Sequence, residues 1–262
     1  MEMKFGYRVQ EASLWEDLRA VLQLKKPLLL IGPTGSGKTK LAEALAQSFE
    51  LPMNSINCSV DLDAEALLGF KTIVQQDGVS VIEFVDGPVV DAMKHGHILY
   101  IDEINMAKPE TLPILHSVLD YRRTLTNPFT GEVIEAHPDF KVLAAINEGY
   151  VGTTPMNEAL KNRFVAARID YLTGDALRQL LAESVDIEDE RLDMMYNIAT
   201  ELQKQVKEGL LAEEIASIRS VLDALQLSAH MPIERALQYA IVEKIEDPLE
   251  RDLVLQLIEM WV

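Results

Sequence analysis

The segment Gly32-Pro33-Thr34-Gly35-Ser36-Gly37-Lys38-Thr39 constrains this chain more than any other. It follows the apolar run Pro27 to Ile31 and precedes an amphipathic stretch, Leu41 to Phe49. Strand, glycine-rich turn and helix in that order, with the spacing G-x-x-x-x-G-K-[ST], make a phosphate cradle. Glycines let successive backbone N–H groups curl inward, and the helix that opens at Gly37 and Lys38 adds its positive end. All eight residues, Gly32, Pro33, Thr34, Gly35, Ser36, Gly37, Lys38 and Thr39, are predicted to hold phosphate. Lys38 is placed over the outer phosphates and the Thr39 hydroxyl on Mg²⁺.

A phosphate cradle needs a carboxylate site beside it. Ile98-Leu99-Tyr100-Ile101-Asp102-Glu103 supplies one, because an apolar strand there delivers two acids at its C-terminal end, where parallel sheets bind ligands. Asp102 is expected in the Mg²⁺ shell, through water, and Glu103 on an attacking water. Asn147 ends the next apolar strand, within reach of the same water. Arg163, just before the last strand, is placed to reach the phosphate of a neighbouring subunit. Arg219 lies on a later helix that would fold back onto the nucleotide.

Periodicity sets the frame around these residues. Leu14, Leu18, Val21 and Leu22 predict a helix before the strand Leu28 to Ile31. A short strand is expected over Met53 to Cys58 and a short helix over Asp61 to Leu68. Two β-rich pieces follow within Thr72 to Val85, around Gln76-Asp77-Gly78. Pro88 to His95 predicts a helix stopped by Gly96. Then come a strand, His97 to Ile101, a helix, Pro109 to Tyr121, and a hairpin, Thr124 to Ala136. A strand over Phe140 to Ile146, a short helix over Met156 to Lys161 and a last strand over Phe164 to Ile169 complete the series. From Asp175 to Val262 the pattern is helical throughout. The chain therefore reads as α/β, a parallel sheet flanked by helices over residues 1–172, followed by an all-helical domain over 173–262.

In this order and spacing the motifs resemble an AAA+ ATPase, with Gly32 to Thr39 as Walker A and Ile98 to Glu103 as Walker B. Leu68-Gly69 with the hairpin behind it, and Asp86-Gly87-Pro88-Val89-Val90, resemble the helix-2 insert and following segment of MoxR-type proteins. Asp102-Glu103-Ile104-Asn105-Met106-Ala107 does so too. The hairpin Arg123 to Ala136 with Ala136-His137-Pro138-Asp139-Phe140 is similar to their pre-sensor-1 insert. Asp120-Tyr121-Arg122-Arg123-Thr124-Leu125 and Asn147-Glu148-Gly149-Tyr150 are most similar to the CbbQ/NorQ/GvpN, dynein-related group. The resemblance spans roughly Leu14 to Leu227.

It implies ATP and Mg²⁺ as ligands, Asn147 as sensor 1, Arg163 as the trans arginine finger and Arg219 as the sensor 2 arginine. Asn57 is a further candidate, as a switch that restrains Glu103. The family departs from this chain at Glu148, where relatives often carry proline, and the Arg122-Arg123 pair leaves two arginines open for the neighbouring site. The resemblance also implies a ring, a hexamer by expectation, with a chaperone-like task. That task is to remodel a protein client or help insert its metal cofactor, with a von Willebrand factor A domain protein as partner. Two other classes stay open: a DNA-directed motor or loader, and a nucleotide-dependent switch with little turnover.

Composition bears on those alternatives. A net charge of −18 repels phosphate backbones and disfavours nucleic acid as the main partner. The single cysteine, Cys58, allows no internal disulfide, fits a reducing cytoplasm and is expected as a small core residue. No apolar run reaches the length of a membrane span, and Met1 to Gln10 lacks the apolar stretch of a signal peptide. The five histidines show no metal-ligand spacing.

Overall fold

The computed structural model describes residues 3–9, 11–58, 62–76, 79–147, 156–185 and 187–262. The chain opens with a small hairpin, β1 (Met3–Lys4) and β2 (Tyr7–Arg8), then α1 (Ala12–Gln23), β3 (Leu28–Gly32) and α2 (Lys38–Ser48). Next come β4 (Met53–Asn57), α3 (Ala64–Leu68), β5 (Gly69–Gln76), β6 (Val79–Asp86), α4 (Pro88–His95) and β7 (Ile98–Asp102). They are followed by α5 (Leu112–Leu119), β8 (Thr124–Thr126), β9 (Val133–Glu135), β10 (Lys141–Asn147), α6 (Glu158–Lys161) and β11 (Val165–Arg168). Helices close the chain: α7 (Gly174–Ser184), α8 (Asp189–Lys207), α9 (Ile218–Ser228), α10 (Ile233–Ala240) and α11 (Pro248–Trp261).

Among the described residues the central sheet has five parallel strands in the order β11-β3-β10-β7-β4. Side chains alternate across it, as the two-residue strand period demands. Leu29, Ile31, Leu99, Ile101, Val142 and Ala144 face one apolar cluster, shared with Val89, Met93 and Leu115 of α4 and α5. Leu28, Leu30, Ile98, Tyr100, Leu143 and Ala145 face the other, shared with α1 and α2. Both faces are covered, which is why these strands read as unbroken apolar runs rather than alternating ones. A third cluster draws only on residues between Tyr171 and Ile258.

The two inserted hairpins differ in kind. β8 and β9 lie on the core, with Leu125 and Ile134 buried and Asn127, in the turn between the strands, fully buried. β5 and β6 form an eight-residue antiparallel ribbon with Phe70, Ile73, Val79 and Ile82 exposed. Lys94 of α4 joins the two inserts, binding Asp86 at 3.0 Å and Glu132 at 2.9 Å.

Three local differences from the sequence expectations have simple causes. The helix expected over Pro109 to Tyr121 is shorter, because Pro113 lacks an N–H and occupies the first turn, while Asp120 is already extended. The helix expected from Asp61 starts at Ala64, where the Asp63 side chain accepts from the Ala66 N–H at 2.8 Å. The β1–β2 hairpin was not anticipated; its turn residues Phe5 and Gly6 both have positive φ, 52° and 78°. The expectations on Asp61, Asp77-Gly78 and Glu148-Gly149-Tyr150 fall outside the described residues.

Candidate functional site

The C-terminal ends of three adjacent strands build the site. β3 runs into the turn Pro33 to Gly37, β7 ends at Asp102 and β10 ends at Asn147. Asn147 stands in register with Gly32, and Asn57 of β4 with Asp102. Parallel pairing therefore brings the glycine-rich turn, the acidic pair and the asparagine to one edge, as the sequence spacing required.

The turn is held open by its backbone. Gly35 and Gly37 have φ of 79° and 90°, a region that any L side chain strains to enter. Lys38, only 6% exposed, begins α2 and bends back so that its ammonium donates to the carbonyls of Gly32 at 2.9 Å and Pro33 at 2.7 Å. Burial pushes its pKa down to about 8, against the pull of Asp102, Glu213 and Glu103. The Ser36 hydroxyl is buried in the turn without a hydrogen-bond partner among the described residues.

The acids sit opposite. The Thr39 hydroxyl lies 3.3 Å from the Tyr100 hydroxyl. Burial raises the Asp102 carboxyl above its ordinary range, opposed by the Glu103 N–H it accepts at 3.0 Å. Glu103 occupies the left-handed region at φ 51°, ψ 42°, a conformation that costs about 1 kcal/mol or more and recurs at functional sites. That kink ends the strand and turns Glu103 toward β10, where the Asn147 amide donates to its Oε1 at 3.2 Å. A hydroxyl, a carboxylate and a second carboxylate form an all-oxygen set of the hardness that Mg²⁺ prefers.

Two contacts that the sequence did not reveal close the turn from outside. A Cβ on Gly35 would collide with the Ser217 hydroxyl, so the start of α9 rests directly on the turn. The buried Tyr171 hydroxyl lies 2.7 Å from the Glu213 carbonyl and 3.2 Å from the Thr34 carbonyl, its one proton serving both. Neither carries a sequence signal beyond being polar next to apolar runs, since their partners are far away in the chain. On the opposite flank Arg8 of β2 binds Glu183 and Gln179 of α7, each at 2.5 Å.

Arg219 is exposed in the first turn of α9, two residues from Ser217, and so stands beside the glycine-rich turn. Arg163 is not part of this group. It follows α6 and precedes β11, whose first residue, Val165, pairs with Leu28 at the start of β3. Four residues of strand, about 13 Å, separate that level from Gly32. Arg163 therefore lies at the far end of the sheet from its own chain's turn.

Residues 27–164 match the model of an AAA domain, dynein-related subfamily. The chain is 56% identical over 256 residues to an uncharacterized protein of Staphylococcus epidermidis, covering 97% of each. It is 53% identical over 256 residues to an uncharacterized protein of Staphylococcus aureus, again covering 97% of each. Its fold is similar to that of a point mutant of Thermotoga maritima RuvB, with a TM-score of 0.56 at 19% identity, covering 94% of this chain and 67% of that one.

Proposed function

The chain belongs to the dynein-related subfamily of AAA domains, and from that membership we propose a Mg²⁺-dependent ATPase of MoxR type that works as a ring. The observation that carries the reading is the Asn147–Glu103 hydrogen bond of 3.2 Å, at the same strand edge as Lys38 and Asp102. It gives a carboxylate an orientation before any substrate arrives.

In this reading the N–H groups of the turn and Lys38 bind the β- and γ-phosphates. Thr39, and Asp102 through water, would hold Mg²⁺, which would supply positive charge against the phosphates. Glu103, aimed by Asn147, takes a proton from water as the water oxygen bonds to the γ-phosphorus and the bond to the β-phosphate oxygen breaks. The products are ADP and phosphate. Arg219 reports the nucleotide to the helices around it. Adenine specificity rests on the family resemblance, since these residues address phosphate only. Residues 1–172 form the nucleotide-binding domain and 173–262 the helical one, a division supported by the separate apolar cluster of the latter.

The position of Arg163 supports a shared site. An arginine about 13 Å from its own phosphate turn serves a phosphate only if a second copy brings one to it. A closed ring satisfies every copy at once, and a hexamer is the size proposed. The task proposed is chaperone-like: remodelling a protein client, or assisting insertion of its metal cofactor, with a von Willebrand factor A domain protein as partner. Among the described residues no helix is long and apolar enough to cross a membrane, and the reading places the work in the cytoplasm.

The test is steady-state ATP hydrolysis against protein concentration, with Arg163→Ala beside it. Specific activity should rise with concentration and collapse in the variant, and mixing Arg163→Ala with Lys38→Ala chains should restore part of it. A low activity that is flat with concentration and indifferent to Arg163 would overturn the shared site.

A further inference from the structure

The strand that carries the acids breaks its own apolar pattern once. Ile98, Leu99 and Ile101 of β7 are fully buried, and Tyr100 among them is only 2% exposed, so it brings a hydroxyl into the core. An aliphatic side chain would fill such a position, and a buried hydroxyl is unfavourable unless it is hydrogen-bonded. Strand alternation decides where this one ends. Tyr100 and Asp102, two residues apart, share one face of β7, the face whose apolar cluster includes Leu41 and Leu45 of α2. Thr39 stands in the first turn of the same helix. Tyr100 therefore reaches the edge of the site from the core side, with its hydroxyl 3.3 Å from that of Thr39, which is itself exposed.

The Asp102 carboxylate draws on the same hydroxyl. Burial above all pushes the Tyr100 phenol over its ordinary value, and hydrogen bonding to Asp102 adds to that. On the acid, burial raises the carboxyl and the Tyr100 hydroxyl is among the groups that oppose it. Tyr100 thus keeps its proton and has one to give. A carboxylate only accepts, whereas a phenol oxygen both donates and accepts. With the Tyr100 proton on Asp102, the same oxygen serves Thr39 as acceptor, and the Thr39 proton is committed to Tyr100. What remains on the Thr39 oxygen is a lone pair, which is what a hard cation takes. A hydroxyl with no such acceptor turns to suit its surroundings, and each bond in a chain of this kind polarises the next.

We propose that Tyr100 is a positioning residue of the metal site, joining Thr39 and Asp102 in one hydrogen-bonded chain that runs Thr39 to Tyr100 to Asp102 and leaves a lone pair of the Thr39 oxygen available to Mg²⁺. The inference rests on the reading of Thr39 and Asp102 as the residues that would hold the metal, and adds one that touches neither metal nor nucleotide. Partners behind a metal site orient the groups in front, and removing one typically costs about 10- to 100-fold in metal affinity. The chain is in place in the unliganded protein, so the ordering of Thr39 precedes binding. A tyrosine that only packed would be replaced by phenylalanine without consequence for the metal. A tyrosine that orients Thr39 would not.

The experiment is titration of a fluorescent, non-hydrolysed ATP analogue into the full chain, first with EDTA and then at stepped Mg²⁺, for the unaltered protein and Tyr100→Phe. Melting of the nucleotide-free proteins checks the core, and the two should agree within about 5 °C. Affinity without the metal should stay within about twofold, while the Mg²⁺ concentration that gives half of the metal-dependent gain rises about tenfold or more. In a Thr39→Ala background the donor is already gone, so adding Tyr100→Phe should cost about threefold at most. A Mg²⁺ dependence that Tyr100→Phe leaves unchanged overturns the proposal. Equal losses with and without the metal do so too, as does the same loss in the Thr39→Ala background, since a merely structural residue behaves in those ways. If the unaltered protein gains no affinity from Mg²⁺, the metal reading fails and this inference with it; a gain that Tyr100→Phe retains removes Tyr100 alone. ATP turnover enters none of these readouts.

Discussion

Lys38 makes nucleotide binding depend on pH in a range where an ordinary lysine would not. Its pKa is pushed down to about 8 by burial. A lysine so lowered carries its charge below that value and loses it above. In the free chain it is then about one-tenth neutral near pH 7 and about nine-tenths neutral near pH 9. Phosphate binds the ammonium form, so binding near pH 9 must first put back about 0.9 of a proton. The affinity there falls about tenfold from its low-pH plateau, about 1.4 kcal/mol. ATP itself changes charge little over that range, so the dependence belongs to the protein. The assay is calorimetric titration of a non-hydrolysed ATP analogue with Mg²⁺ at stepped pH, repeated in buffers of different ionisation enthalpy to count protons. Proton uptake should climb from about 0.1 to about 0.9 per nucleotide as affinity declines. An affinity that stays flat to about pH 10 with no proton uptake would refute the argument, because it would mean that Lys38 has the ordinary pKa near 10.5 or does not touch the phosphates.

Glu103→Gln should keep nucleotide affinity within about twofold, since the amide oxygen still accepts from Asn147, while turnover falls by about 10² to 10⁴ in a steady-state assay; unchanged turnover would remove Glu103 from the base role. Gly35→Ala should lower the melting temperature by several degrees and weaken nucleotide binding, because a Cβ runs into the Ser217 hydroxyl and the left-handed backbone adds about 1–2 kcal/mol. Adding Ser217→Gly should restore part of the loss in the same melting experiment.

The sheet and its ligand edge were legible because they depend on short-range pattern. Unbroken apolar runs such as Leu28 to Ile31 and Ile98 to Ile101 mark strands buried on both faces. The glycines and Lys38 have fixed spacing, and the acids stand at a strand end. The N-terminal hairpin was not legible, since strands of two residues show no period; the positive φ pair Phe5-Gly6 left only a faint turn signal. Tyr171 and Ser217 gain their importance from contacts across long stretches of sequence, which no local pattern records. The fate of the inserts also depended on tertiary packing. Both read as hairpins, yet one lies against the core and the other exposes Ile73 and Ile82.

The seat of Ser217 on Gly35 has a consequence for forces applied from outside. At a separation where even one carbon atom does not fit, the glycine-rich turn and the start of α9 behave as a hard stop rather than a cushion. A tilt of α9 toward the turn would press on the backbone that would cradle phosphate, while a tilt away would relieve that contact. Linkage makes the exchange reciprocal: a partner whose grip on α9 favours one position changes nucleotide affinity by the same factor that nucleotide changes the partner's. A body that pulls on those helices would thus set the rate at which a spent nucleotide leaves.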